Sequence, residues 1–263
     1  MLEIACGVAT DPGTHRTINE DSHFVASRLA AVADGMGGHA AGEVASCIVV
    51  ERLELLATSA SSISPDELLA AIADANQHIL DEATAEPSRH GMGTTLAGVG
   101  VASIGGSDHW VVFNVGDSRV YQLTETSLSQ LTIDHSEVEE LVAAGVLTEG
   151  EARVDPRRNI VTRSLGTDPA PQADVWVFPP TPGERFLVCS DGLTLEMTDD
   201  QISRILRGQR DPQRAADELV TGAVAAGGRD NVTVVVVDAV ADDPDDSVCV
   251  DTAPRPEPGD DPT

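Results

Sequence analysis

The sequence contains no lysine: every basic side chain other than its seven histidines is an arginine, 16 in all against 44 acids, for a net charge of −28. Non-specific attachment to nucleic acid or to an anionic membrane needs basic surface, so this balance excludes both as partners. Divalent cations are not repelled by it. We attach no function to the missing lysine itself. Cysteine is also sparse. Cys6, Cys47, Cys189 and Cys249 lie far apart with no C-x-x-C pair, which excludes a disulfide frame and a zinc site in favour of reduced thiols in a cytoplasmic protein. Long apolar runs are missing: Val234–Val237 is strand-length and far too short to cross a bilayer. The first residues, MLEIACGVATD, place an acid at position 3 with no basic region ahead of an apolar run, unlike a signal peptide.

What is present divides into two parts. Residues 1–240 have the size of one folded domain. Residues 241–263, ADDPDDSVCVDTAPRPEPGDDPT, are acidic, rich in Pro and nearly without groups to bury, and read as a disordered tail. Nine acids and one Arg fall within 238–263, so a charge of −20 remains on the rest.

Along the domain, strands are expected at Leu2–Thr10 and Leu29–Ala33, followed by helices over Ala41–Ser59 and from the capping box Ser64-Pro65-Asp66-Glu67 to about Ala85. Strands at Thr94–Ile104, His109–Val115, Ser118–Leu123 and Ser127–Thr132 come next, then a charged helical stretch over 136–158. Strands return at Asp174–Phe178 and Arg185–Ser190. Two helices open at Thr198-Asp199-Asp200-Gln201 and Asp211-Pro212, and Asn231–Val240 is a β-branched closing strand. Strands in blocks with helices in pairs predict an α+β fold, two packed sheets with helix pairs outside.

Four acids stand at predicted strand ends or turns: Asp21 after Asn19-Glu20, Asp34 after LAAVA, Asp191 after FLVCS and Asp230 before the last strand. If those ends converge, the carboxylates share one small space and need a counter-charge, most simply a divalent metal. An all-oxygen set favours Mg²⁺ or Mn²⁺. Two such ions could share Asp34 and hold a bridging water as the attacking group. Gly35, with no side chain, lets its carbonyl approach an ion, and Arg16 could grip phosphate oxygens. Taken singly, an Asp-Gly at a strand end is usually only a turn.

Eight segments in order resemble the metal-dependent protein phosphatases of type 2C, the bacterial branch in particular. They are TDPGTHRTINEDS (10–22), ADGMGGHAAGEVAS (33–46), GMGTTLAG (91–98), VGDSRVYQL (115–123), DHSEVEELVAAGVLTEGEA (134–152), DPRRNIVTRSLG (155–166), CSDGL (189–193) and RDNVTVVVV (229–237). The resemblance implies a central β-sandwich of two antiparallel sheets flanked by pairs of helices, in α-β-β-α layers. It implies Mn²⁺- or Mg²⁺-dependent hydrolysis of phosphoserine and phosphothreonine on proteins. Asp34, Asp191 and Asp230 match metal ligands, Gly35 a carbonyl ligand, and Glu20 and Asp21 acids that hold metal-bound waters. Arg16 matches a phosphate-gripping Arg, and Asp117 a residue that helps hold a weaker third ion, with Asn159 near it. The leaving oxygen takes its proton either from His39 or from a metal-bound water. Residues 136–166 correspond to a flap over the site. The expected partners are phosphorylated proteins, a serine/threonine kinase among them, for a monomeric signalling enzyme without nucleic-acid or membrane contacts. A non-catalytic binding module is the competing reading, and every aligned metal position being occupied argues against it.

Overall fold

The computed structural model describes residues 2–37, 41–59, 63–181 and 183–241. Its strands are β1 (Leu2–Asp11), β2 (Asp21–Ala26), β3 (Leu29–Met36), β4 (Gly93–Thr94), β5 (Leu96–Ile104), β6 (Ser107–Val115), β7 (Arg119–Leu123), β8 (Leu128–Gln130), β9 (Asp174–Phe178), β10 (Arg185–Cys189) and β11 (Val232–Ala241). The helices are α1 (Gly42–Ser59), α2 (Pro65–Ala85), α3 (Glu137–Ala143), α4 (Glu149–Ala152), α5 (Asp191–Glu196), α6 (Asp199–Gly208) and α7 (Pro212–Ala226).

The strands form two sheets, ordered β1-β11-β10-β7-β8 and β2-β3-β5-β6-β9, with β4 added to β3. The pairings are antiparallel. The β-branched run of β11 shows why the sheets stack. Val235 and Val237 face the space between the sheets, beside Val32, Val99, Val112 and Phe186. Val234 and Val236 face the other way, onto Leu193, Ile202 and Leu219 of the helices. A strand buried on both faces reads as a continuous apolar run, as this one does. Trp110 meets Phe186 edge-on across the sandwich, at 4.7 Å between ring centres. On the far side, α1 and α2 cover Leu29, Leu96 and Phe113. The layers are therefore α-β-β-α, as the family resemblance implied.

Helix starts follow local chemistry. Ser64 Oγ accepts from the Glu67 N–H at 3.2 Å, and the Glu67 carboxylate accepts from the Ser64 N–H at 2.9 Å. This box closes orphan donors at both ends of the first turn. Thr198 and Gln201 do the same for α6, and Asp211 caps α7 with Pro212 next.

Three expectations need correction. The strand expected at Leu29–Ala33 runs on through Asp34 and Gly35 to Met36, because β2 pairs along it as far as Asp34 and β4 pairs with Gly35 and Met36. Strand β2 itself, the edge of its sheet, was not expected. Asp191 opens helix α5 instead of a turn: Ser190 takes the extended N-cap conformation, and an acid suits a first helical turn. The acidic segment 242–263 and His39 lie outside the described residues. Among those described, Cys6, Cys47 and Cys189 are free thiols, and no helix is long and apolar enough to cross a membrane.

Candidate metal centre

Sheet register brings the acids together. Asp21 and Asp34 sit directly opposite each other on β2 and β3. Asp117 occupies the turn between β6 and β7, Asp191 the start of α5 beyond β10, and Asp230 the loop before β11. Each is fixed by neighbours. The Thr94 hydroxyl and the Thr95 N–H both donate to the Asp34 carbonyl at 2.9 Å, while the Asp34 N–H donates to Thr95 Oγ1 at 3.0 Å. Thr95 Oγ1 in turn lies 2.7 Å from Ser118 Oγ. Asp21 Oδ2 accepts from the Ser190 hydroxyl at 2.8 Å. Ser190 thus directs its side chain to the acid cluster and not to its own helix.

Asn231 ties the loop ahead of β2 to the loop ahead of β11. Its Oδ1 accepts from the Glu20 N–H at 2.9 Å, and its Nδ2 donates to the carbonyls of Pro12 and Ile18, each at 3.0 Å. The Glu20 carbonyl accepts from the Ser46 hydroxyl at 2.6 Å and from the Gly35 N–H at 3.2 Å. Glu20 Oε1 accepts from the Gly42 N–H. Gly35 has no alternative in this crowd: a Cβ there would lie 2.2 Å from the Gly42 carbonyl oxygen and 2.5 Å from that of Glu20. A Cβ on Gly192 would lie 2.0 Å from the Asn231 carbonyl oxygen. Arg16, half exposed, donates to Asp230 Oδ2 at 2.8 Å, and Asp230 Oδ1 accepts from the Asn231 N–H at 2.9 Å.

The electrostatics show acids under strain. Burial, then the charges of Asp191 and Asp230, push the Asp21 carboxyl up to about 7. Burial followed by Asp191 and Asp134 raises Asp117 to about 8, and burial followed by Asp230 raises Asp191 to about 6. Asp34 is driven well above the carboxylate range by burial and by Asp21, Asp191, Asp117 and Asp230. Its proton is shared in a hydrogen bond to Asp191. Glu20 is raised by burial, partly offset by the Gly42 N–H. Asp21 Oδ1 is buried with no hydrogen-bond partner. An orphaned carboxylate oxygen among acids that oppose one another's ionisation is the environment a cation relieves.

The oxygen donor set fits a hard divalent ion. Among the described residues no three acidic, imidazole or thiol groups stand close enough to hold an ion as they are. Holding one therefore requires the carboxylates to turn toward a common point.

Of the residues singled out in the sequence, Arg16, Glu20, Asp21, Asp34, Gly35, Asp117, Asp191 and Asp230 meet in this one region. Asn159 joins Asp117 and Asp191 in lining an adjoining cavity of about 520 Å³ beneath α3 and α4. Sequence reasoning missed Asn231, Thr95 and Ser190 as supports. The Asn directly after Asp230 and ahead of a strand was the available signal for the first; the other two look like ordinary strand residues until the sheets are assembled.

Residues 15–220 match the family described as protein phosphatase 2C. The serine/threonine phosphatase stp of Listeria monocytogenes is 38% identical over 239 residues, covering 87% of this chain and 93% of that protein. The Mycobacterium tuberculosis serine/threonine protein phosphatase PstP is 38% identical over 247 residues, 91% of this chain but 46% of PstP. Among solved structures, M. tuberculosis PstP/Ppp superposes with a TM-score of 0.82 at 36% identity, covering 90% of this chain and 98% of that one. The PstP catalytic domain in complex with two manganese ions gives a TM-score of 0.82 at 36% identity, over 92% of this chain and all of that one.

Proposed function

The chain belongs to the protein phosphatase 2C family, and on that premise we propose that the acid cluster around Asp34 is the catalytic centre of a metal-dependent protein serine/threonine phosphatase. Asp34, Asp191 and Asp230 hold a pair of Mn²⁺ or Mg²⁺ ions with the Gly35 carbonyl, and Asp117 helps hold a third. When bound, these ions offset the carboxylate charge, acidify a water for attack at phosphorus and neutralise the phosphoryl oxygens.

The protein's own groups do the rest. Glu20 and Asp21 orient water beside the ions by accepting its hydrogen bonds, a role for which the unpartnered Asp21 Oδ1 is suited. Arg16 is anchored on Asp230 but half exposed. Its remaining N–H groups are thus free of the Asp230 contact and can take two oxygens of a phosphoserine or phosphothreonine. His39 is kept as the candidate proton donor to the leaving oxygen. The substrates are phosphorylated proteins, a serine/threonine kinase among them, and the enzyme acts as a monomer in cytoplasmic signalling.

One observation carries the reading: Asp21, Asp34, Asp117 and Asp191 are all pushed upward by burial and by other acids of the cluster. Such a cluster is stable at neutral pH only with a counter-cation. The test is release of phosphate from a phosphothreonine peptide with Mn²⁺, with and without excess chelator. Turnover that stops on chelation and returns with added Mn²⁺ supports the reading, and turnover indifferent to chelation overturns it.

A further inference from the structure

Asp134 and His135 lie where the 136–166 excursion leaves the body of the domain, and both reach back to the turn that carries Asp117. His135 is buried, with 5% of its surface exposed. Its N–H donates to the Gly116 carbonyl at 2.9 Å, and its ring Nδ1 accepts from the Gly116 N–H at 3.0 Å. One residue thus satisfies both backbone groups of the position just before Asp117. Asp134 holds the other flank: Arg119 Nε donates to its carboxylate at 3.0 Å and Nη2 at 2.6 Å. Such a two-pronged, charge-assisted pair fixes orientation as well as distance.

The turn needs holding. Gly116 lies at φ +109°, a conformation open mainly to glycine, whose backbone is otherwise the most mobile. Because Nδ1 of His135 accepts, its proton sits on Nε2, which donates to Asp174 Oδ2 at 3.2 Å. Asp174 also accepts from Arg163 at 3.2 Å. The His135 carbonyl accepts from the Thr162 N–H at 2.8 Å, and Ser136 bridges to Val161. The same two residues therefore join the outgoing and returning ends of the excursion to the Asp117 turn.

We propose that His135 and Asp134 are positioning residues that set Asp117 for the phosphatase reaction from the root of the flap. This rests on the reading of Asp117 as a residue of the metal site. His135 touches neither substrate nor ion; it acts through the Gly116 backbone.

The side-chain isosteres separate this from plain structural support. In His135→Asn the amide oxygen takes the place of Nδ1 and keeps the Gly116 acceptor. In His135→Gln the amide reaches the place of Nε2, keeps a donor for Asp174 and leaves the Gly116 N–H without an acceptor. With the full chain, saturating Mn²⁺ and a phosphothreonine peptide, H135N is expected to hold kcat within about twofold. H135Q is expected to lose roughly tenfold in kcat with little change in KM, since small misplacements of an active-site group cost of this order. The H135Q loss should largely vanish in a D117N background, because coupled residues are non-additive. Calorimetric Mn²⁺ titration should show H135Q and D117N weakening the same binding event. Equal damage in H135N and H135Q, or fully multiplicative losses in H135Q/D117N, would overturn the proposal while sparing the role of Asp117. A D117N enzyme with unaltered kcat and Mn²⁺ titration would sink both. Should H135Q fail to fold, Asp134→Asn combined with D117N gives the same cycle from the other flank.

Discussion

Chelating the divalent ions leaves Asp21, Asp34, Asp117 and Asp191 facing one another in a buried site, and this makes the stability of the fold depend on pH in a direction opposite to a salt-bridged carboxylate. An Asp whose folded pKa lies above its unfolded value binds more protons in the folded chain than in the unfolded one. Stability then falls as pH rises between the two values. The window opens near 3.8 and extends to about 8, the value to which Asp117 is raised. Asp191 alone, displaced from 3.8 to about 6, disfavours the folded chain by about 3 kcal/mol above that pH, at 1.36 kcal/mol per unit. For a domain of this size about 1 kcal/mol corresponds to roughly 2–4 °C in melting temperature. The metal-free protein should therefore melt on the order of 5–10 °C lower at pH 8 than at pH 5. Adding Mn²⁺ should raise the melting temperature far more at pH 8 than at pH 5. Comparing melts with and without Mn²⁺ at each pH cancels groups outside the cluster. His23, lowered by burial, is one of them and works in the opposite sense, its stability growing as pH rises. Asp155, held at about 2 by Arg157, titrates below the window. A Mn²⁺ increment identical at pH 5 and pH 8 would refute the idea that mutual repulsion raises these acids.

Further outcomes follow from the same contacts. Gly35→Ala places a methyl against two carbonyl oxygens and is expected to destabilise by about 2–3 kcal/mol, the upper part of the overpacking range, checked by urea denaturation. Asn231→Ala removes three hydrogen bonds between the two loops and should cost about 2–3 kcal/mol with a matching fall in activity, read from the urea midpoint and the phosphopeptide assay together. Arg16→Ala should raise KM for the phosphopeptide at least about tenfold, with Arg16→Lys recovering only part because a lysine offers no fork; steady-state kinetics decide it.

Much of the fold was legible because its signals are local. The Ser64 box, the Asp211-Pro212 start and the valine run of β11 each specify their element within a few residues. Strand β2 escaped because DSHFVA is an edge strand, only partly buried, with three polar residues among six. Helix α5 escaped because six residues beginning Asp-Gly carry a turn signature, and the Ser190 side chain that could have advertised a cap is bonded to Asp21 instead. The candidate site was legible as a set of residue types but not as a place. That Asp21 stands opposite Asp34 is a matter of register between strands, and that Asn231 reaches Pro12, Ile18 and Glu20 depends on two loops meeting more than two hundred residues apart in sequence. No periodicity encodes such contacts. The order of the eight motifs supplied the convergence that spacing alone could only suppose.

The central claim, that the acids around Asp34 exist to hold catalytic cations, is tested most directly by counting bound Mn²⁺ and phosphothreonine turnover on the same preparations of wild type and Asp34→Asn. The account predicts two or more ions per wild-type chain, and in D34N fewer ions with turnover reduced by at least about a hundredfold. A folded D34N protein that binds as many ions and hydrolyses the peptide as fast would contradict it.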